Sequence, residues 1–205
     1  SGEAANLRAH LRRRRAGTVA RACGIDPPGA IHRVGRGRLP AAARPVAPLQ
    51  MGSRNPIWKR REARCTSVAL ACHVNPDADA LSWMLGLSNH LRAMGKETVC
   101  SFSTDPFEPP RWASLLSGTE ALVPPSACPE DPPVMVTCDV ASLDRLASLG
   151  GAAVRAKTLI WIDHHVTNDG LGTIPIIDPS ASSTCELVWR LVKELGGEIQ
   201  IETAM

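Results

Sequence analysis

The sequence predicts an α/β domain of three layers, αβα, with helices on both faces of a mostly parallel sheet. Three observations point there. The runs Val68-Ala69-Leu70-Ala71-Cys72, Val134-Met135-Val136-Thr137-Cys138 and Leu159-Ile160-Trp161-Ile162 are nearly continuous in apolar residues, the pattern of strands buried on both faces. Stretches of helical period lie between them, so strand and helix alternate along the chain. Each run also ends in ionisable residues, which parallel strands gather at their shared carboxyl edge.

The first 65 residues stand apart. Residues 1–64 carry 15 Lys+Arg against 3 Asp+Glu, a net charge of +12 that includes the four arginines of 12–15. Apart from a short helical stretch near 7–15, no period is sustained. Such composition predicts a disordered basic segment, or an artefact, because an out-of-frame reading of GC-rich DNA would look alike. Arginine cations would also give a nucleic-acid-binding tail its affinity. Residues 65–205 carry 8 Lys+Arg against 17 Asp+Glu, a net of −9, which suits a cation site. The domain is expected over 66–205.

The first strand ends at Cys72. A helix follows over 79–94, with Leu81, Met84, Leu85, Leu91 and Met94 on one face and Gly95 as its stop. A short strand spans 97–101. Residues 105–133 are proline-rich, with a short helix near 111–116. The strand at 134–138 leads to a helix near 142–149, and the strand at 158–162 to the triplet Asp163-His164-His165. A strand at 174–177 precedes a helix over 184–195, where Ser183 and Glu186 have capping-box spacing. Leu187, Val188, Leu191, Val192 and Leu195 are its buried face, and Gly196 ends it. Trp161 and Trp189 read as core, and His90 as packing or surface.

Composition excludes several classes. No apolar stretch reaches the ~18 residues of a membrane span, so no membrane partner is expected. The run of arginines at 12–15 is not followed by an apolar run long enough for a signal peptide, while the Arg-rich, acid-poor composition of 1–64 leaves an organellar presequence open. Seven cysteines without a C-x-x-C pair argue against structural zinc. They read as thiols of a reducing, cytoplasmic protein.

The chemistry concentrates in His73-Val74-Asn75-Pro76-Asp77-Ala78-Asp79, in Asp139 and in the triplet. Parallel strands would bring His73, Asp77, Asp79, Asp139, Asp163, His164 and His165 to one edge. Four carboxylates crowd together only with cations, and carboxylate oxygens with neutral imidazoles suit Mn²⁺ or a similar divalent ion. Asp77 or Asp79 could instead cap the helix that follows. One cap accounts for one carboxylate and leaves the other, with His73, over. Ser182 and Ser183, at a helix start, could meet a phosphate or simply cap.

These residues resemble the DHH phosphoesterases. The segment from His73 to Asp79 matches the family's H-x-x-P-D-x-D pattern, Asp139 its lone strand-end aspartate, and Asp163-His164-His165 the triplet that gives the name. Asp178-Pro179-Ser180-Ala181-Ser182-Ser183-Thr184, with Glu186, resembles the small-substrate branch. The resemblance covers roughly 67–203. It implies two Mn²⁺ ions, with Mg²⁺ or Co²⁺ as alternatives. His73 and Asp77 would hold the first ion and Asp79 and His164 the second, with Asp139 bridging. A hydroxide made from water between the ions would attack phosphorus. His165 would bind the substrate phosphate with Ser182 and Ser183, while Asp163 orients a histidine.

The implied substrates are short oligoribonucleotides, 3′-phosphoadenosine 5′-phosphate or linear dinucleotides. Manganese pyrophosphatase or exopolyphosphatase chemistry and a non-catalytic metal- or nucleotide-binding fragment are the alternatives. Family relatives often form homodimers. Two departures stand out. Ser82-Trp83 occupies the place of the family's Gly-Ser, where an indole would strain the turn or narrow the site. The family's later Asp-Thr-Gly-like aspartate and second, substrate-binding domain lie beyond the match, so the domain is expected to be partial.

Overall fold

The computed structural model describes residues 2–25, 66–168 and 170–197. Five strands, β1 Ser67–Ala71, β2 Glu97–Ser101, β3 Val134–Cys138, β4 Thr158–Asp163 and β5 Ile174–Ile177, form one sheet in the order β2-β1-β3-β4-β5. Every pairing is parallel. The apolar runs lie inside: β3 is buried along its whole length and β1 and β4 at all but their first residues. The order reverses between β1 and β3, which opens a crevice at the carboxyl edge between the segments that follow those two strands.

The helices complete the three layers. On one face, α2 (Ala78–Ala93) and α4 (Thr184–Glu194) pack together in a core that includes Leu81, Met84, Leu91, Leu187, Val188 and Leu191. On the other, a 3-10 segment at Leu143–Leu149 and the short α3 (Gly150–Arg155) cover Ala69, Met135 and Trp161. Gly95 (φ 77°) supplies the left-handed turn that stops α2.

Several expectations need correction. The helix near 142–149 is instead 3-10, broken at Ala147 (φ 45°, ψ −118°), and α3 follows at once. Gly150 and Gly151 form the first residues of α3. Met94 caps α2 and is exposed rather than packed. Trp189 is 51% exposed, because position 189 falls outside the stripe made by 187, 188, 191, 192 and 195. Trp83 lies within α2. It is among the largest fully buried side chains, inside the α2–α4 core, with its indole N–H unpartnered among the described residues.

Within the basic segment, the helical stretch expected near 7–15 is longer: the chain forms α1 (Gly2–Ala22), which packs against α4 and β5. Ala16, Val19, Ala20 and Cys23 are buried at i, i+3, i+4 and i+7, and Ile25 is buried after them. Arg12, Arg13, Arg14 and Arg15 are exposed. This apolar stripe sits directly behind the arginine run, which masks it in the composition. Lys96 Nζ donates to the Gly24 carbonyl at 2.9 Å and ties the end of α1 to the sheet. Residues 26–65 lie outside the described residues.

Candidate metal centre at the carboxyl edge

Asp139 follows β3 directly and is held in the left-handed region at φ 58°. Such backbone is uncommon for a residue with a Cβ and persists only where neighbours enforce it. The enforcement is visible. The Asp139 N–H donates to the Ile162 carbonyl at 3.1 Å. The next carbonyl, of Val140, accepts from Trp161 Nε1 at 2.6 Å and Asn168 Nδ2 at 3.1 Å. The carboxylate thereby points into the crevice, only 7% exposed.

Three imidazoles surround it. His73 Nε2 lies 3.5 Å from Asp139 Oδ2, and His164 Nε2 lies 3.8 Å from Asp139 Oδ1. His165 Nδ1 is 3.8 Å from Asp139 Oδ1 but 2.7 Å from Asp163 Oδ1. The Thr184 hydroxyl donates to Asp139 Oδ1 at 3.0 Å. The contact with Asp139 raises the His73 pKa above the ordinary histidine value, against the effect of burial. Burial pushes the Asp139 carboxyl up, but hydrogen bonds from His73 and Thr184 outweigh it and leave its pKa below the usual aspartate value.

The donor arrangement suits a divalent ion. His73 Nδ1 lies 2.7 Å from the Val74 carbonyl and His164 Nδ1 lies 3.3 Å from the Ala181 carbonyl. A neutral ring that donates from Nδ1 presents the bare lone pair of Nε2, and both Nε2 atoms face Asp139. Metal-binding histidines are commonly oriented in this way, by a second hydrogen bond to backbone. Lone pairs facing a carboxylate at 3.5–3.8 Å need a proton or a cation between them. Two donor groups of this kind occur among the described residues, His73 with Asp77 and Asp139, and Asp139 with His164 and His165.

The other expected site residues are placed as follows. Asp77 caps α2, its Oδ1 accepting from Ala80 N–H at 2.9 Å. Asp79 falls in neither donor group. Its Oδ2 accepts from Thr184 N–H at 3.0 Å and its Oδ1 from Cys185 N–H at 3.2 Å, at the start of α4. The two carboxylates therefore cap two different helices, an option the linear motif does not suggest. Asp163, fully buried, accepts from His164 N–H at 2.8 Å and bonds His165.

Ser182 and Ser183 are engaged at the start of α4. Ser183 Oγ accepts from Glu186 N–H at 3.2 Å, as the capping-box spacing implies. The Glu186 carboxylate returns to Ser182 N–H and Oγ rather than to Ser183, and pairs with Arg190. Asp178 binds Ser180 and Arg190. His90 is half-buried packing, its pKa lowered by burial. Asn168 is a site-adjacent residue with no sequence signal, and only its contacts find it.

The DHH family, N-terminal domain, matches residues 67–205. The bifunctional oligoribonuclease and PAP phosphatase NrnA of Thermus thermophilus is 34% identical over 137 residues, 67% of this chain and 40% of that protein. The crystal structure of an exopolyphosphatase-related protein from Bacteroides fragilis superposes with a TM-score of 0.61 at 26% identity, covering 68% of this chain and 43% of that one. The chain thus spans less than half the length of either relative.

Proposed function

This chain belongs to the DHH family, and from that premise we propose that it is a metal-dependent phosphoesterase acting on short oligoribonucleotides, 3′-phosphoadenosine 5′-phosphate or both. The observation that carries the reading is Asp139, whose two carboxylate oxygens face imidazole nitrogens arriving from different strands. The similarity to an oligoribonuclease and PAP phosphatase supports the nucleotide substrates.

His73 and Asp77 would hold one ion, His164 and Asp79 a second, and Asp139 would be shared. Asp79 would contribute through lone pairs not taken by the α4 amides, since a carboxylate has about four acceptor sites. When bound, Mn²⁺, Mg²⁺ or Co²⁺ would supply Lewis-acid polarisation of a phosphoryl oxygen and a lowered pKa for water. The protein's own part is positional. Asp163 takes the Nδ1 side of His165 and leaves Nε2 on the side that would meet the substrate phosphate. Ser182 is exposed beside this edge and reaches a phosphate only by releasing Glu186, so the Ser182 and Ser183 contacts are secondary in this reading. Action on a nucleotide pool fits a cytoplasmic location.

A second reading, hydrolysis of pyrophosphate or polyphosphate, is favoured by the fold match to an exopolyphosphatase-related protein. One assay separates them: Mn²⁺-dependent release of phosphate or mononucleotide from 3′-phosphoadenosine 5′-phosphate, a short RNA, pyrophosphate and polyphosphate, with Asp139→Asn beside the parent chain. Nucleotide turnover lost in Asp139→Asn is expected. Turnover of the inorganic substrates alone would move the assignment to the second reading, and Mn²⁺ binding without turnover of any substrate would leave a metal-binding protein.

A further inference from the structure

Asn168 carries no motif, yet it bonds Asp163, the partner of His165, and the carbonyl of Val140, the residue after Asp139. Its Nδ2 donates to Asp163 Oδ2 at 2.6 Å and to the Val140 carbonyl at 3.1 Å, while its Oδ1 accepts from Gly170 N–H at 2.8 Å. These partners settle the orientation of the amide. A flip would set its oxygen against two acceptors and its NH₂ against a donor. The Asn168 N–H also faces the His165 carbonyl at 3.3 Å, closing the turn after the triplet.

Each bond constrains a different element. Asp163 has two oxygens with separate duties: Oδ1 receives His164 N–H and His165 Nδ1, and Oδ2 receives Asn168. With Oδ2 clamped, the carboxylate cannot rotate away from His165. The Val140 carbonyl belongs to the residue after Asp139, so the second bond helps hold the left-handed backbone that aims Asp139 into the crevice. A fully buried carboxylate left without part of its hydrogen bonding is costly, which gives the clamp its strength.

We propose that Asn168 is a positioning residue. Through Asp163 it fixes His165 as the tautomer protonated on Nδ1, with Nε2 bare, and through Val140 it holds the backbone at Asp139. The link to turnover rests on the phosphoesterase reading; the tautomer does not.

Asn168→Asp tests this, because it keeps the shape and sets a carboxylate against Asp163. Asn168→Ala removes the amide without adding charge. The first readout is the ¹⁵N shift of the His165 ring nitrogens in metal-free, histidine-labelled protein in alkaline buffer, assigned by loss of the signal in His165→Gln. The parent chain should give one protonated Nδ1 and one bare Nε2. Both variants should move both nitrogens toward the averaged values of exchanging tautomers. The second readout is turnover, where kcat should fall by about 10–100-fold, the usual range for residues that orient metal-site groups, with a smaller change in KM. Parent-like ring shifts in folded variants would overturn the proposal, whatever happens to kcat. Failure of both variants to fold would overturn it too, since the amide would then be a brace of the fold alone. Displaced ring shifts with no turnover even in the parent would uphold the tautomer and sink the phosphoesterase reading.

Discussion

Asp139 bears two burdens at once, a carboxylate among three imidazoles and a left-handed backbone at φ 58°. A non-glycine residue in that region costs on the order of 1–3 kcal/mol, and glycine is free of the penalty. Asp139→Ala keeps the strain and loses the contacts, whereas Asp139→Gly loses both. In metal-free protein, Asp139→Gly is therefore expected to be more stable than Asp139→Ala by about 1 kcal/mol, measured by urea unfolding. Equal midpoints would show that the backbone there carries no strain. His90 gives a pH prediction. Burial depresses its pKa in the fold, so the unfolded chain binds a proton where the folded chain does not. Its contribution to stability is present above the ordinary histidine value of about 6.5 and falls as pH drops through that value toward the lower folded one. His90→Leu should flatten the loss of stability over that window, and an unchanged slope would show that His90 has no part in it.

At the scale of elements, the start of α4 is where the helical layer meets the candidate metal centre. Its first amides are all used: Thr184 and Cys185 donate to Asp79 and Glu186 donates to Ser183. Carboxylates are favoured at a helix N-terminus by the macrodipole, so Asp79 stabilises α4 while α4 fixes Asp79. Ser183→Ala should cost about 1 kcal/mol of stability, the usual value for losing an N-cap hydroxyl, read from the thermal midpoint. A neutral result would mean that Asp79 alone satisfies the first turn. The other informative element is α1, whose stripe at 16, 19, 20 and 23 covers apolar surface of α4 and β5.

For the whole molecule, the switch between β1 and β3 decides where function can sit. His73 follows one of these strands and Asp139 the other, so they meet only because the sheet is parallel and reverses its order there. A divalent ion, if held by groups from three separate strand ends as proposed, would stabilise the folded chain alone. Mn²⁺ at about 100 times its dissociation constant should raise the unfolding free energy by about 2.7 kcal/mol, and Asp139→Asn should abolish the gain. An equal rise in the variant would place the ion elsewhere. Among the described residues no helix is long and apolar enough to cross a membrane.

The strands and both long helices of the core were legible in sequence, because burial on both faces and helical period are local patterns. The edge position of His73, Asp139 and the triplet followed from strand direction alone. Tertiary structure decided the rest. That Asp79 caps α4 rather than the helix it begins, that Asp163 is shared between His165 and Asn168, and that α1 docks on α4 all depend on how distant segments approach one another. Packing of the sheet and its helices sets those approaches to fractions of an ångström. A linear pattern holds residue types and spacings, but not which oxygen faces which ring.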